Sequence, residues 1–376
     1  MNRFLFFLLV MFKTEAQTSV LGVADSLFAT GNYSKSIEHY IAYDKPSEVY
    51  EQIAKSYVAL GNYGAALQYY DKALEANPGN VFLKFDYAKL LASAKKYKES
   101  SFLLDELIYH DYKNPNYHYE AGVVLETMQD STAMNRYRSA FELDPTHQKA
   151  IYKIARYFLV QRNHKFSLQY IDRGLESYAN NVELISLKAQ NYYWMEDYRE
   201  SAKWFEKLTE LGESSQFIHE KLAFCYAKHY EYKKAIAQGE LALQYDPKNF
   251  TNLFLQGQMY EGLEDFENAS KYMAKALEIR DIPLDDEYRK LGYVYNRQGK
   301  HKEAIEALQK SLKINPSNEQ SHFFMLMAKD KYYADVDTKI KLYEKFHDKH
   351  PKSSFDYFVV KRLKELKEEK FLKAED

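Results

Sequence analysis

The stretch that decides the fold is EVYEQIAKSYVALGNYGAALQYYDKALEANP, Glu48–Pro78. It reads as two amphipathic runs meeting at Gly61, each carrying one small residue on its apolar face, Ala54 and Ala66. Tyr57 and Tyr70 follow those small residues, and Pro78 closes the second run. Outward from Ala54 the small residue recurs at Ala24, Ala88, Ala121, Ala155, Ala189, Ala223, Gly257 and Gly292. The spacing is about 34 residues, the period of a helical array built from helix–turn–helix units.

The neighbouring positions keep the same phase. Three residues on stand Leu27, Tyr57, Leu91, Val124, Phe158, Tyr192, Tyr226, Tyr260 and Tyr295. Twelve on stand Ser36, Ala66, Ser100, Ala133, Ser167, Ser201, Ala235, Ala269 and Ala304. Four beyond those comes a mostly large apolar set, Tyr40, Tyr70, Leu104, Tyr137, Ile171, Phe205, Met273 and Leu308. Two helices pack closely only where a small side chain lets the backbones approach, so Ala54 is expected against Ala66, with the aromatics filling the groove to the next unit. Gly31, Gly61 and Gly299 fall where the first helix must end with positive φ. Pro78, Pro145, Pro247 and Pro316 stop the second helices of four units.

This pattern resembles the tetratricopeptide repeat (TPR) family. The resemblance implies an all-α, right-handed superhelical solenoid of about ten helix–turn–helix repeats with a C-terminal capping helix. Repeats are expected at 17–46, 47–80, 81–113, 114–147, 148–181, 182–215, 216–249, 250–284, 285–318 and, in degenerate form with Met327 at the small-residue position, 319–352. Residues 353–376 are the expected cap, one face on the last repeat and the outer face wet. No linker or low-complexity tract interrupts the chain, so one continuous array is expected.

The formal charge is −2, from 52 Lys and Arg against 54 Asp and Glu, which argues against general affinity for nucleic acid. Arg3 precedes FLFFLLVMF (Phe4–Phe12) and then KTEAQ, the layout of a signal peptide over residues 1–16, cleaved after Ala16. The apolar run is too short for a stable membrane span. Gln17 after TEA resembles the mature starts of secreted proteins of the Bacteroidota, so the mature chain is expected to be soluble, periplasmic or secreted. The alternative is an uncleaved first helix and a cytoplasmic scaffold. Cys225 stands alone in an apolar helical run, so it forms no internal disulfide and reads as an inert buried thiol.

The chain has no P-loop, GxGxxG, HExxH or GxSxG. His347 and His350 lack a third metal ligand, Asp335 and Asp337 lack the rest of a calcium loop, and Asp285, Asp286 and Glu287 suit a helix N-terminus. The expectation is a non-enzyme with no cofactor and no metal site. In the resembled family the first helices line the concave binding face. The matching positions here are Phe82, Phe85, Tyr152, Arg156, Tyr193, Trp194, Phe217, Phe224, Phe254, Arg289 and Tyr293. Such aromatics with scattered Arg suit a protein or peptide partner, and Tyr193 with Trp194 is the foremost pair. The family's chaperone-tail clamp is mostly missing: Lys149 and Lys153 match in type, but Phe85, Lys89 and Tyr119 stand where Lys, Asn and Asn belong. The expected role is a scaffold or adaptor of the bacterial envelope, with homo-oligomerisation left open. The other alternative is a glycan-binding or small-ligand-binding solenoid.

Overall fold

The small residues dictate the architecture seen in the computed structural model, which describes residues 20–279 and 284–375. Among the described residues every regular element is helical. Residues 20–29 pair with Tyr33–Ile41, and a 3-10 turn at Pro46–Glu48 leads to Tyr50–Ala59 with Tyr63–Ala76. Then come Val81–Ser93 with Tyr97–His110, Pro115–Thr127 with Ala133–Leu143, and Gln148–Val160 with His164–Ser177. Val182–Trp194 pairs with Tyr198–Glu210, Gln216–Lys228 with Tyr232–Tyr245, and Phe250–Gly262 with Phe266–Leu277. Asp285–Arg297 with His301–Ile314 and Glu319–Tyr332 with Val336–Lys349 follow, and Asp356–Glu375 ends the chain.

All seven alanines of the period are buried, together with Gly257 and Gly292. A methyl group on Gly292 would lie 2.5 Å from Leu308 Cγ, and one on Gly257 would lie 2.6 Å from Met273 Cγ. The large residue of the second helix therefore fills the space these two glycines leave. Where the second helix carries serine, the hydroxyl ties the pair together. Ser100 donates to the Ala88 carbonyl at 2.7 Å, Ser167 to Ala155 at 2.8 Å and Ser201 to Ala189 at 3.0 Å. Each bond joins residues twelve apart, so the spacing read in the sequence is also a hydrogen-bonding register.

Helix ends follow the same chemistry. Helices Tyr63–Ala76, Ala133–Leu143, Tyr232–Tyr245 and His301–Ile314 each stop two residues before a proline. Second helices begin at side-chain caps such as Asn62, Asn163, Asp197 and Asp265. Gly31, Gly61 and Gly299 have the positive φ expected of them. The equivalent turns elsewhere place Lys95, Gln129, Arg162, Glu196, Tyr230 and Glu264 in the left-handed region instead.

The described residues group into two compact units, one up to Leu187 and one from Lys188. The structure corrects one expectation. In the tenth pair, Met327 is exposed and Leu326 takes the core position, so the repeat phase there is one residue earlier than expected. The expected signal peptide, 1–16, lies outside the described residues.

Candidate partner-binding site

In the second unit, the helix Gln216–Lys228 carries Phe217, Lys221, Phe224 and Lys228 at intervals of four, three and four residues. That spacing puts them in one stripe along one helix face. The preceding pair adds Tyr193 and Trp194 from the end of its first helix and Tyr198 from the start of its second. Tyr193 meets Trp194 edge-on at 5.5 Å, Phe224 at 5.5 Å and Tyr198 at 5.7 Å between ring centres. Phe224 and Tyr198 are 5.4 Å apart. Trp194 is 48% exposed and Phe217 40%, while Tyr193 and Phe224 are half-buried supports.

Two lysines lie on these rings. Lys221 Nζ is 4.1 Å from the centre of Tyr193, 5.7 Å from Phe217 and 6.0 Å from Trp194. Lys228 Nζ is 5.2 Å from Phe224 and 5.8 Å from Tyr198. Neither lysine has an ion-pair partner among the described residues. Burial pushes the Lys221 ammonium below its usual pKa, against the opposing field of Glu220. That glutamate is itself engaged, accepting from Gln216 at 2.8 Å and Asn252 at 2.6 Å. Rings hold a cation by their quadrupole but leave its hydrogen-bond donors unsatisfied. The stripe is therefore an aromatic surface with two cations open to a partner's acceptors.

The other expected groove residues are placed differently. Phe254 is 7% exposed and stacks on Phe250 within a core cluster, so it is a core ring rather than a groove-lining one. Arg289 is held by two bonds of 3.1 Å to Asp286 on its own helix. Tyr293 packs on Phe324 at 5.3 Å and accepts from Arg297 at 2.9 Å. Tyr293, with Phe324, Asp330 and Arg362, lines a cavity of about 580 Å³.

In the first unit, Phe82 is 82% exposed, whereas Phe85 packs on Tyr117 at 5.0 Å beneath Lys89. Tyr152 packs against a core cluster, and Arg156 is exposed. The cations nearest to a carboxylate clamp are already occupied. Lys153 pairs with Glu126 at 2.6 Å and Lys89 with Asp86 at 2.8 Å, while Lys149 lies 5.9 Å over Tyr119.

Residues weighed as chemical sites have structural roles. Cys225 is buried, 3.5 Å from the Ser201 hydroxyl, and burial pushes its thiol up to about 11. His347 contacts Asp356 at 2.7 Å, Asp335 caps the helix Val336–Lys349, and Asp285 accepts from Asn315 at the end of its own pair and from Asn318 at the start of the next. No group of three or more metal-ligating side chains occurs among the described residues. No described helix is long and apolar enough to cross a membrane.

Three tetratricopeptide repeat family models match this chain, at residues 57–119, 251–282 and 286–318. The TPR repeat-containing protein YpiA of Bacillus subtilis (strain 168) is 23% identical over 317 residues, or 81% of this chain. The chain spans 65% of that relative's length. Among solved structures, YrrB, titled a TPR protein with an unusual peptide-binding site, aligns with 49% of this chain and 95% of its own, at 19% identity and a TM-score of 0.46. Yeast Tom70 aligns with 95% of this chain and 97% of its own, at 14% identity and a TM-score of 0.36. At these three stretches the chain thus matches tetratricopeptide repeats, a fold consistent with a protein-interaction scaffold.

Proposed function

We propose that this chain of tetratricopeptide repeats is a non-catalytic scaffold that takes a protein or peptide partner on the stripe from Tyr193 to Lys228. The observation that carries this reading is the pair Lys221 and Lys228, held against rings without an ion pair beside exposed Trp194 and Phe217. Exposed aromatics supply most of the energy of a typical interface, and the two cations add orientation through acceptors on the partner. A segment with aromatic or aliphatic side chains and carboxylates or carbonyls meets both demands.

The test is capture of partners from native cells by wild-type protein and by the double variant Tyr193→Ala, Trp194→Ala. A defined partner retained by the first and lost by the second supports the reading. Equal capture by both overturns it.

We further propose that the scaffold is exported and works in the bacterial envelope, in keeping with the charged, apolar and small-residue order of Arg3 to Ala16. Sequencing the N-terminus of protein purified from its native cells tests this. A mature start at Gln17 supports export, and an intact start at Met1 or Asn2 contradicts it.

A further inference from the structure

The last pairs of the second unit form a pocket of about 470 Å³, open to solvent on one side, whose charged lining is entirely basic. Lys313 comes from His301–Ile314, Lys329 and His322 from Glu319–Tyr332, and Lys345 and Lys349 from Val336–Lys349, with His350 following. Met325, Leu342 and Phe346 form part of its apolar wall. No carboxylate lines it, and none of the four lysines has an ion-pair partner among the described residues. In a chain with slightly more acidic than basic residues, this one-sided grouping is not a consequence of composition. Acids on the same helices are engaged elsewhere, Glu344 with Lys367, Asp330 with Arg362 and Glu319 with Ser353, and exposed Asp348 does not line the pocket.

The basic groups also compete with one another. His322 Nε2 lies 2.9 Å from the Pro316 carbonyl and 2.7 Å from Lys349 Nζ. A ring nitrogen donates or accepts, so it cannot satisfy both contacts at once. Its ring is 5.2 Å from that of His350, whose own Nε2 is buried without a hydrogen-bond partner. Burial, and the fields of Lys349, His350 and Lys329, together push His322 towards its neutral form. An anion in the cavity would supply the acceptors that these donors lack.

We propose that this cavity binds a small amphiphilic anion, a phosphate or carboxylate head on a short apolar body. Its volume falls in the range of small-ligand sites, roughly 300–1,000 Å³. The lysines face the head, and the Met325, Leu342 and Phe346 side takes the body. This site is separate from the aromatic stripe and does not depend on the scaffold reading.

Calorimetric titration of the full chain at low ionic strength tests the proposal, with hexyl phosphate, hexanoate, inorganic phosphate and hexanol as probes. Hexyl phosphate or hexanoate is expected to saturate a single site, at least about tenfold more tightly than inorganic phosphate or hexanol, and the tighter head identifies the natural chemistry. Lys345→Gln and Lys349→Gln, both at exposed helix positions, are each expected to weaken it about tenfold with the circular dichroism spectrum unchanged. Lys361→Gln, outside the cavity lining, should leave it unaltered. The proposal is overturned if neither amphiphile saturates, if inorganic phosphate binds as tightly as hexyl phosphate, or if both lysine substitutions leave affinity unchanged.

Discussion

Asp330 holds the end of the chain in place through one buried carboxylate. It accepts from Arg362 Nε at 3.0 Å and from the Tyr343 hydroxyl at 3.1 Å, with Lys339 3.5 Å from its other oxygen. Burial acts to raise its pKa, but Arg362, Tyr343 and Lys339 outweigh burial and hold it below the usual carboxylate range. A folded-state pKa below the unfolded one gives stability that is present above the unfolded value, about 3.9, and lost as pH falls through the folded value. Melting temperatures of wild type are therefore expected to drop below about pH 4, with a smaller drop in Asp330→Asn. Arg362→Met should cost about 2 kcal/mol near neutral pH, read by urea unfolding, because it strips a charged partner from a buried acid. Cys225 gives a second prediction at this scale. With its thiol pushed up to about 11 and its side chain buried, Ellman's reagent should leave the native protein unlabelled and react once on unfolding.

At the scale of the helix pair, most of the architecture was legible because each packing requirement has its own residue type. Ala54, Ser100 and Pro145 mark a close crossing, a cross-helix hydrogen bond and a helix end respectively. The turns were legible only where they hold glycine. Gln129 has φ +60 with no special residue to announce it, so the turn is imposed by the two helices it joins. Gln129→Gly is accordingly expected to stabilise the protein by up to about 1 kcal/mol in chemical unfolding. Gly292→Ala should do the reverse, by about 1–3 kcal/mol, because its methyl would press on Leu308. The terminal helix reads in the sequence as a cap with one covered face and one wet face. Val359 and Leu366 are buried against the last pair, but Tyr357, Phe371 and Leu372 are exposed among its charges. A short apolar residue every few positions does not tell which face is covered.

For the molecule as a whole, the periodic core was legible and the functional surface much less so. Tyr193, Trp194, Phe217 and Phe224 are legible in the sequence and converge, because the end of one first helix lies beside the middle of the next. Lys221 and Lys228 were missed, although the alternation Phe217, Lys221, Phe224, Lys228 was there to be read as one helical stripe. Phe254 was misplaced because an aromatic at a groove position packs inward whenever its neighbours leave room. The basic cavity had no sequence signal at all, since Lys313, Lys329 and Lys345 meet only through the packing of three helices.

The scaffold reading rests on the stripe, and the most direct measurement is photo-crosslinking in native cells. A benzophenone side chain would replace Trp194 in one variant and exposed Phe102, outside the stripe on a second helix of the first unit, in another. The account predicts one discrete partner adduct from position 194, abolished by adding Lys221→Gln and Lys228→Gln, and none from position 102. No discrete adduct at 194, or the same adduct from both positions, would contradict it.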